Sequence, residues 1–192
     1  TALIIMILLP LVGLGGYGLL GNPRALDPAN TQPQPRMSAD QIEGMVEKLA
    51  ERLKQNPDDP NGWVMLARSY KMMGRYAESA EAYGHATAVV EKDAMLLADF
   101  AEMLAISGDG FKGKPTELIN KALRLDPKNP KALAFAGTAE FEQKKFSQAA
   151  IYWEQLLALV PPESDLARSV SNSIAEAKSL ASGKGSIMAR AQ

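Results

Sequence analysis

Between positions 38 and 181, apolar residues recur every three or four places, the rhythm of helices with one buried face. Ile42, Met45, Val46, Leu49 and Leu53 share such a face, behind Ser38-Ala39-Asp40-Gln41, where Ser38 and Gln41 have the spacing of a capping box. Asn56-Pro57 ends that helix. The next pattern opens at Pro60 with Trp63, Leu66, Ala67 and Tyr70, followed by Ser79 and Tyr83. Another opens at Ala94 with Leu97, Phe100, Ala101 and Leu104, followed by Pro115 and Ile119. A third opens at Pro130 with Leu133, Ala136, Gly137 and Glu140, followed by Ala149 and Trp153. Beyond Pro161-Pro162, the spacing of Leu166, Val170, Ile174 and Ala177 predicts a last helix. Residues 1–21 differ: they run without a charged side chain.

The middle patterns are one unit used three times. Asn56-Pro57 returns as Asp126-Pro127 and Pro60 as Pro130, so breaks at Pro60, Ala94 and Pro130 give units 60–93, 94–129 and 130–163. The order Trp, Leu-small, Tyr, Ala, aromatic and late Pro is the tetratricopeptide pattern. Ala67, Ala101 and Gly137 occupy its small place, where two helices cross and a large side chain would hold them apart. The extra residues of the middle unit fall in Ser107-Gly108-Asp109-Gly110-Phe111-Lys112-Gly113-Lys114, and Pro115 suits the first turn of the following helix. No single hairpin buries its face alone, so stacking is obligatory. The expected fold is all-α: a tetratricopeptide-repeat superhelix of three helical hairpins. Capping helices at 38–56 and 164–181 complete a domain over 38–181, followed by a flexible tail at 182–192.

Twenty-one helical residues rise about 31 Å, which matches the roughly 30 Å hydrocarbon core and makes 1–21 a transmembrane helix by length. Residues 22–37 hold Pro23, Pro28, Pro33 and Pro35, the composition of an extended linker. A formal net charge of −1 argues against nucleic acid as a partner. With no cysteine, the chain can supply neither a disulfide nor a thiolate metal site.

Enzyme chemistry has little to stand on. His85 is the single histidine and no second ligand lies near it in sequence. No nucleophile motif or phosphate loop is present, so no catalytic residue, metal or cofactor is expected. What remains is a surface. The first helices of stacked hairpins line a groove, and one face of each gives Asn61, Val64, Arg68, Lys71 and Met72, then Met95, Ala98, Glu102 and Ile106, then Lys131, Ala134, Thr138, Phe141 and Glu142. Val64, Met72, Met95 and Phe141 would form an apolar floor for an amphipathic helix. The places used by repeat domains that clamp an acidic C-terminus hold Val64, Arg68, Asp99, Lys131 and Phe135 here. Only Lys131 agrees, which excludes a clamp of that kind.

The apolar start, the proline-rich tether and the runs Asn56-Pro57-Asp58-Asp59-Pro60-Asn61-Gly62-Trp63, Ala98-Asp99-Phe100-Ala101-Glu102, Leu125-Asp126-Pro127-Lys128-Asn129-Pro130 and Tyr152-Trp153-Glu154-Gln155-Leu156-Leu157 together resemble the bacterial cytochrome c biogenesis family CcmI, also called CycH. The resemblance implies a chaperone anchored in the inner membrane, with its repeat domain in the periplasm. Such a chaperone holds apocytochrome c by its C-terminal helix and presents it to the haem ligase complex, with CcmF and CcmH as partners. It also implies an upstream membrane helix and cytoplasmic loop. A structural scaffold that holds a stable complex together is the alternative.

Overall fold

The computed structural model describes residues 37–183, so the expected membrane span at 1–21 lies outside the described residues, as do nearly all of the linker and the tail beyond Gly183. Among the described residues, no helix is long and apolar enough to cross a membrane. The chain divides into two compact units, Thr1–Ile42 and Glu43–Gln192. The first is described over 37–42 only, where a helix begins with the expected reciprocal cap. The Gln41 amide donates to Ser38 Oγ at 3.2 Å, and the Ser38 amide donates to Gln41 Oε1 at 2.9 Å.

Every element of the described residues is helical: α1 (Ala39–Gln55), α2 (Pro60–Met72), α3 (Tyr76–His85), α4 (Thr87–Val90), α5 (Ala94–Ser107), α6 (Lys114–Leu125), α7 (Pro130–Glu142), α8 (Phe146–Leu157) and α9 (Asp165–Ala181). Three hairpins form, α2 with α3, α5 with α6, and α7 with α8; α3 then packs on α5, α6 on α7, and α9 on α8. Val46, Ala50 and Leu53 of α1 join the core of the first hairpin.

Local chemistry sets where the helices start. Pro60, Pro115 and Pro130 sit in first turns, where their missing N–H groups would have had no partner. Asp59 accepts from the Gly62 amide at 2.8 Å, Asn129 from Ala132 at 2.9 Å, and Ser164 from Ala167 at 3.1 Å. Each such cap is worth about 1 kcal/mol.

The repeated places have equivalent surroundings. Trp63, Leu97 and Leu133 are all buried, as are Ala67 and Ala101. At the same place in the third hairpin, a Cβ on Gly137 would stand 2.2 Å from Nε1 of Trp153. Opposite Ala67, the fully buried Ser79 donates its hydroxyl to the Ala67 carbonyl at 2.7 Å and ties α3 to α2.

Two features depart from a uniform repeat. The second helix of the first hairpin breaks at Ala86 (φ −94°, ψ 18°) and resumes as the single turn α4, which buries Val90. Gly84 and the β-branched Thr87, Val89 and Val90 are weak helix formers around that break. The glycine-rich connection after α5 is held in place. Gly110 and Gly113 take positive φ, and Phe111 is buried against Phe135 with ring centroids 5.0 Å apart. The Phe111 amide donates to Glu142 Oε2 at 2.9 Å, and the Thr116 hydroxyl donates to the Phe111 carbonyl.

Candidate protein-binding face

The first helices of the three hairpins, α2, α5 and α7, each leave one stripe uncovered or half-covered. On α2 the stripe runs Asn61, Met65, Arg68 and Met72, all exposed, with Met72 at 90%. On α5 it runs Met95, Asp99, Glu102 and Ile106, and on α7 Lys131, Phe135, Thr138 and Glu142. The spacing of four, three and four is identical in all three helices, as 3.6 residues per turn demands.

A salt-bridge network stitches the stripes together. Lys71 Nζ lies 2.6 Å from Glu102 Oε2 and 3.7 Å from Asp99 Oδ1. Lys131 Nζ pairs with the same Glu102 oxygen at 2.6 Å, and also with Asp99. One residue from α2, two from α5 and one from α7 therefore neutralise one another across three repeats. All four side chains are a third exposed or less, so the network is better shielded from water than an ordinary surface pair. Burial works against the charge on Glu102, but hydrogen bonds from Lys131 and Lys71 outweigh it and hold its carboxyl below the usual range. Burial likewise opposes the Lys131 ammonium, and its hydrogen bonds to Asp99 and Glu102 reverse that and raise its pKa.

Tyr83 of α3 is fully buried, with a hydroxyl that finds no hydrogen-bond partner among the described residues. Burial, aided by the Asp99 charge, pushes its pKa up to about 12. Arg68 lies close enough to oppose that rise in part, without forming a hydrogen bond of ordinary geometry.

Several expected groove residues sit elsewhere. Val64 and Ala98 are 7% and 0% exposed and belong to the core, because one step of about 100° turns that place toward the next helix. Their neighbours Met65 and Asp99 take the open positions. Phe141 is half-buried and packs on α8, with its ring 5.2 Å from Phe146 and 5.6 Å from Trp153. Ala134 is half-buried, and its carbonyl accepts from the Trp153 indole at 3.2 Å and the Thr138 hydroxyl at 3.1 Å. Asn61, Arg68, Met72, Met95, Ile106 and Glu142 are exposed, while Lys71, Glu102, Lys131 and Thr138 are half-buried. Met65, Asp99 and Phe135 are the residues that sequence reasoning left off the face. The signal that could have found them is their shared place in the repeat, five residues after Pro60, Ala94 and Pro130.

His85 stacks on Trp63, with centroids 4.3 Å apart and planes at 21°, while the Trp63 indole donates to the Pro57 carbonyl at 3.0 Å. Among the described residues, no group of His, Asp or Glu side chains has the arrangement to hold a metal ion.

A family model described as the cytochrome c-type biogenesis protein H TPR domain matches residues 24–167. The chain is 28% identical over 177 residues to cytochrome c-type biogenesis protein CycH of Pseudomonas aeruginosa, covering 92% of this chain and 43% of that protein. It is 29% identical over 155 residues to cytochrome c-type biogenesis protein CcmH of Escherichia coli K12, covering 80% of this chain and 43% of that protein. It thus spans less than half the length of these relatives. A crystal structure of MamA matches with TM-score 0.58 at 12% identity, covering 79% of this chain and 99% of that one. A tetratricopeptide repeat protein from Parabacteroides merdae matches at 0.60 and 17%, covering 72% and 54%. These structural likenesses show the repeat fold. The family match, which spans all three hairpins, shows that the chain belongs to the CycH/CcmH family of cytochrome c-type biogenesis proteins.

Proposed function

We propose that this chain is a membrane-anchored periplasmic chaperone of c-type cytochrome maturation. Its repeat face receives the C-terminal helix of apocytochrome c and presents the client to the haem ligase complex, with CcmF and CcmH as partners. Residues 1–21 supply the anchor in the bacterial inner membrane. The observation that carries the reading is the three-helix face of a cytochrome biogenesis family member, on which Met65, Met72, Met95 and Ile106 stand 43–90% exposed around charges that already neutralise one another. An amphipathic helix laid there gains about 25 cal/mol per Å² of apolar surface removed from water, less its ordering cost. Tethering raises the local concentration of client beside the membrane machinery. The role is binding; the face presents no nucleophile paired with a base.

Calorimetric titration with peptides from the two ends of an apocytochrome c tests this. The C-terminal peptide should bind saturably and the N-terminal peptide should not. Equal behaviour of the two would refute the client assignment. A stable stoichiometric partner recovered in place of a transient client would make the chain a scaffold.

A further inference from the structure

We propose that Arg68 selects the docking helix, by pairing with a carboxylate side chain set in the middle of that helix's apolar face. The inference rests on the reading of the α2–α5–α7 face as the client surface. Of the charged residues on the three stripes, Asp99, Glu102 and Lys131 are held in the network with Lys71. Glu142 accepts the Phe111 amide. Arg68 is exposed and forms no ion pair among the described residues. It stands three residues after Met65 and four before Met72, which are 60% and 90% exposed. On the neighbouring helix, Met95 and Ile106 bracket the neutralised Asp99 and Glu102 at 43% and 51% exposure.

The face therefore offers apolar contact on both sides of one unspent cation. The complement is a helix with apolar residues three and four places either side of a Glu or Asp. A basic residue at that point would bury like charges together, and a neutral one would leave the guanidinium covered without a partner. The planar fork of Arg68 suits a bidentate carboxylate.

The test uses three acetylated and amidated amphipathic peptides, identical except for Glu, Gln or Lys at the centre of a leucine face. Blocking both ends removes the terminal carboxylate as a rival source of charge. The full chain should bind the Glu peptide about tenfold more tightly than the Gln peptide, and the Lys peptide more weakly still. Arg68→Glu should reverse the order of the Glu and Lys peptides, and Arg68→Lys should keep it. Equal affinity for all three overturns the role of Arg68 and leaves the client reading intact. Binding of an apocytochrome C-terminal peptide that Arg68→Glu does not alter overturns it in the same way. Failure of every peptide, apocytochrome included, overturns both. Self-association abolished by Arg68→Glu would make the occupant a second copy of this chain and would also overturn the proposal.

Discussion

Gly137→Ala adds one methyl group at the crossing of α7 and α8. That methyl carbon would stand 2.2, 2.4 and 2.7 Å from Nε1, Cδ1 and Cε2 of Trp153, where ordinary contact is about 3.5–4.0 Å. The obstacle is a rigid ring, so relief needs the indole or the whole of α8 to move by more than about 1 Å. Overpacking of this kind costs about 1–3 kcal/mol. Movement of the ring also weakens the indole bond to the Ala134 carbonyl, now 3.2 Å long, for about 1 kcal/mol more. Against this, alanine is the better helix former by about 1 kcal/mol. The net expectation is a loss of about 1–3 kcal/mol, or roughly 3–9 °C in Tm for a domain of this size. Gly44→Ala is the internal control. It lies within α1 with nothing inside 4 Å of the added carbon, so the propensity gain should appear alone as about 1 kcal/mol of stabilisation. Urea unfolding followed by far-ultraviolet circular dichroism measures both. Trimming the ring in Gly137→Ala/Trp153→Leu should make the two changes less than additive by at least about 1 kcal/mol. A Gly137→Ala protein as stable as the parent would show that the hairpin crossing tolerates a larger residue, and the packing account would fail.

Lys131→Ala leaves Asp99 and Glu102 with Lys71 alone and should cost about 1.5–3 kcal/mol of unfolding free energy, partly recovered in Asp99→Asn/Lys131→Ala. The pH profile should have two limbs. The lowered pKa of Glu102 means its contribution is present above about pH 4.3 and lost as pH falls through the folded value. The raised pKa values of Lys131 and Tyr83 mean their contributions are present below about pH 10 and lost as pH rises toward the folded values, about 12 for Tyr83. Thermal midpoints measured across pH should fall at both ends, and Tyr83→Phe should shallow the alkaline limb. Because its hydroxyl lacks a partner, Tyr83→Phe should also stabilise the protein at neutral pH by about 1 kcal/mol in thermal melts. Met65→Ser/Met72→Ser should leave unfolding free energy within about 0.5 kcal/mol and weaken the client peptide about tenfold. Val64→Asp, by contrast, should lower Tm steeply, since it buries a charge in the core.

The hairpins were readable because Trp63, Leu97 and Leu133 stand at equal places, and a repeated apolar pattern has few other ways to be buried. The cap at Ser38 was readable from its spacing to Gln41, whereas those at Asn129 and Ser164 came to light only in the structure. The face was harder. A helix pattern fixes which side is wet only to within one residue, and the slip from Met65 to Val64 and from Asp99 to Ala98 is that one residue. The tertiary neighbour decides it, because α3 and α5 pack together and take the adjoining side chains inward. Phe141 misleads for a related reason: its ring joins Phe146 and Trp153, partners that become neighbours only once α8 folds back. The break at Ala86 rests on weak preferences at Gly84 and Thr87, which sequence spacing alone does not rank. The loop around Phe111 reads in sequence only as the place of the extra residues; what anchors it is Glu142, 31 residues away, which accepts the Phe111 amide.

The shared oxygen of Glu102, with a lysine from each neighbouring repeat upon it, has a kinetic side. Opposite charges so closely matched cast almost no field beyond a Debye length of about 8 Å. The network itself therefore draws nothing in from a distance and adds little salt dependence to association; what steering the face exerts falls to charges outside it, Arg68 among them. Residence time, set by how many methionine and isoleucine contacts are made after arrival, then decides which visitors stay.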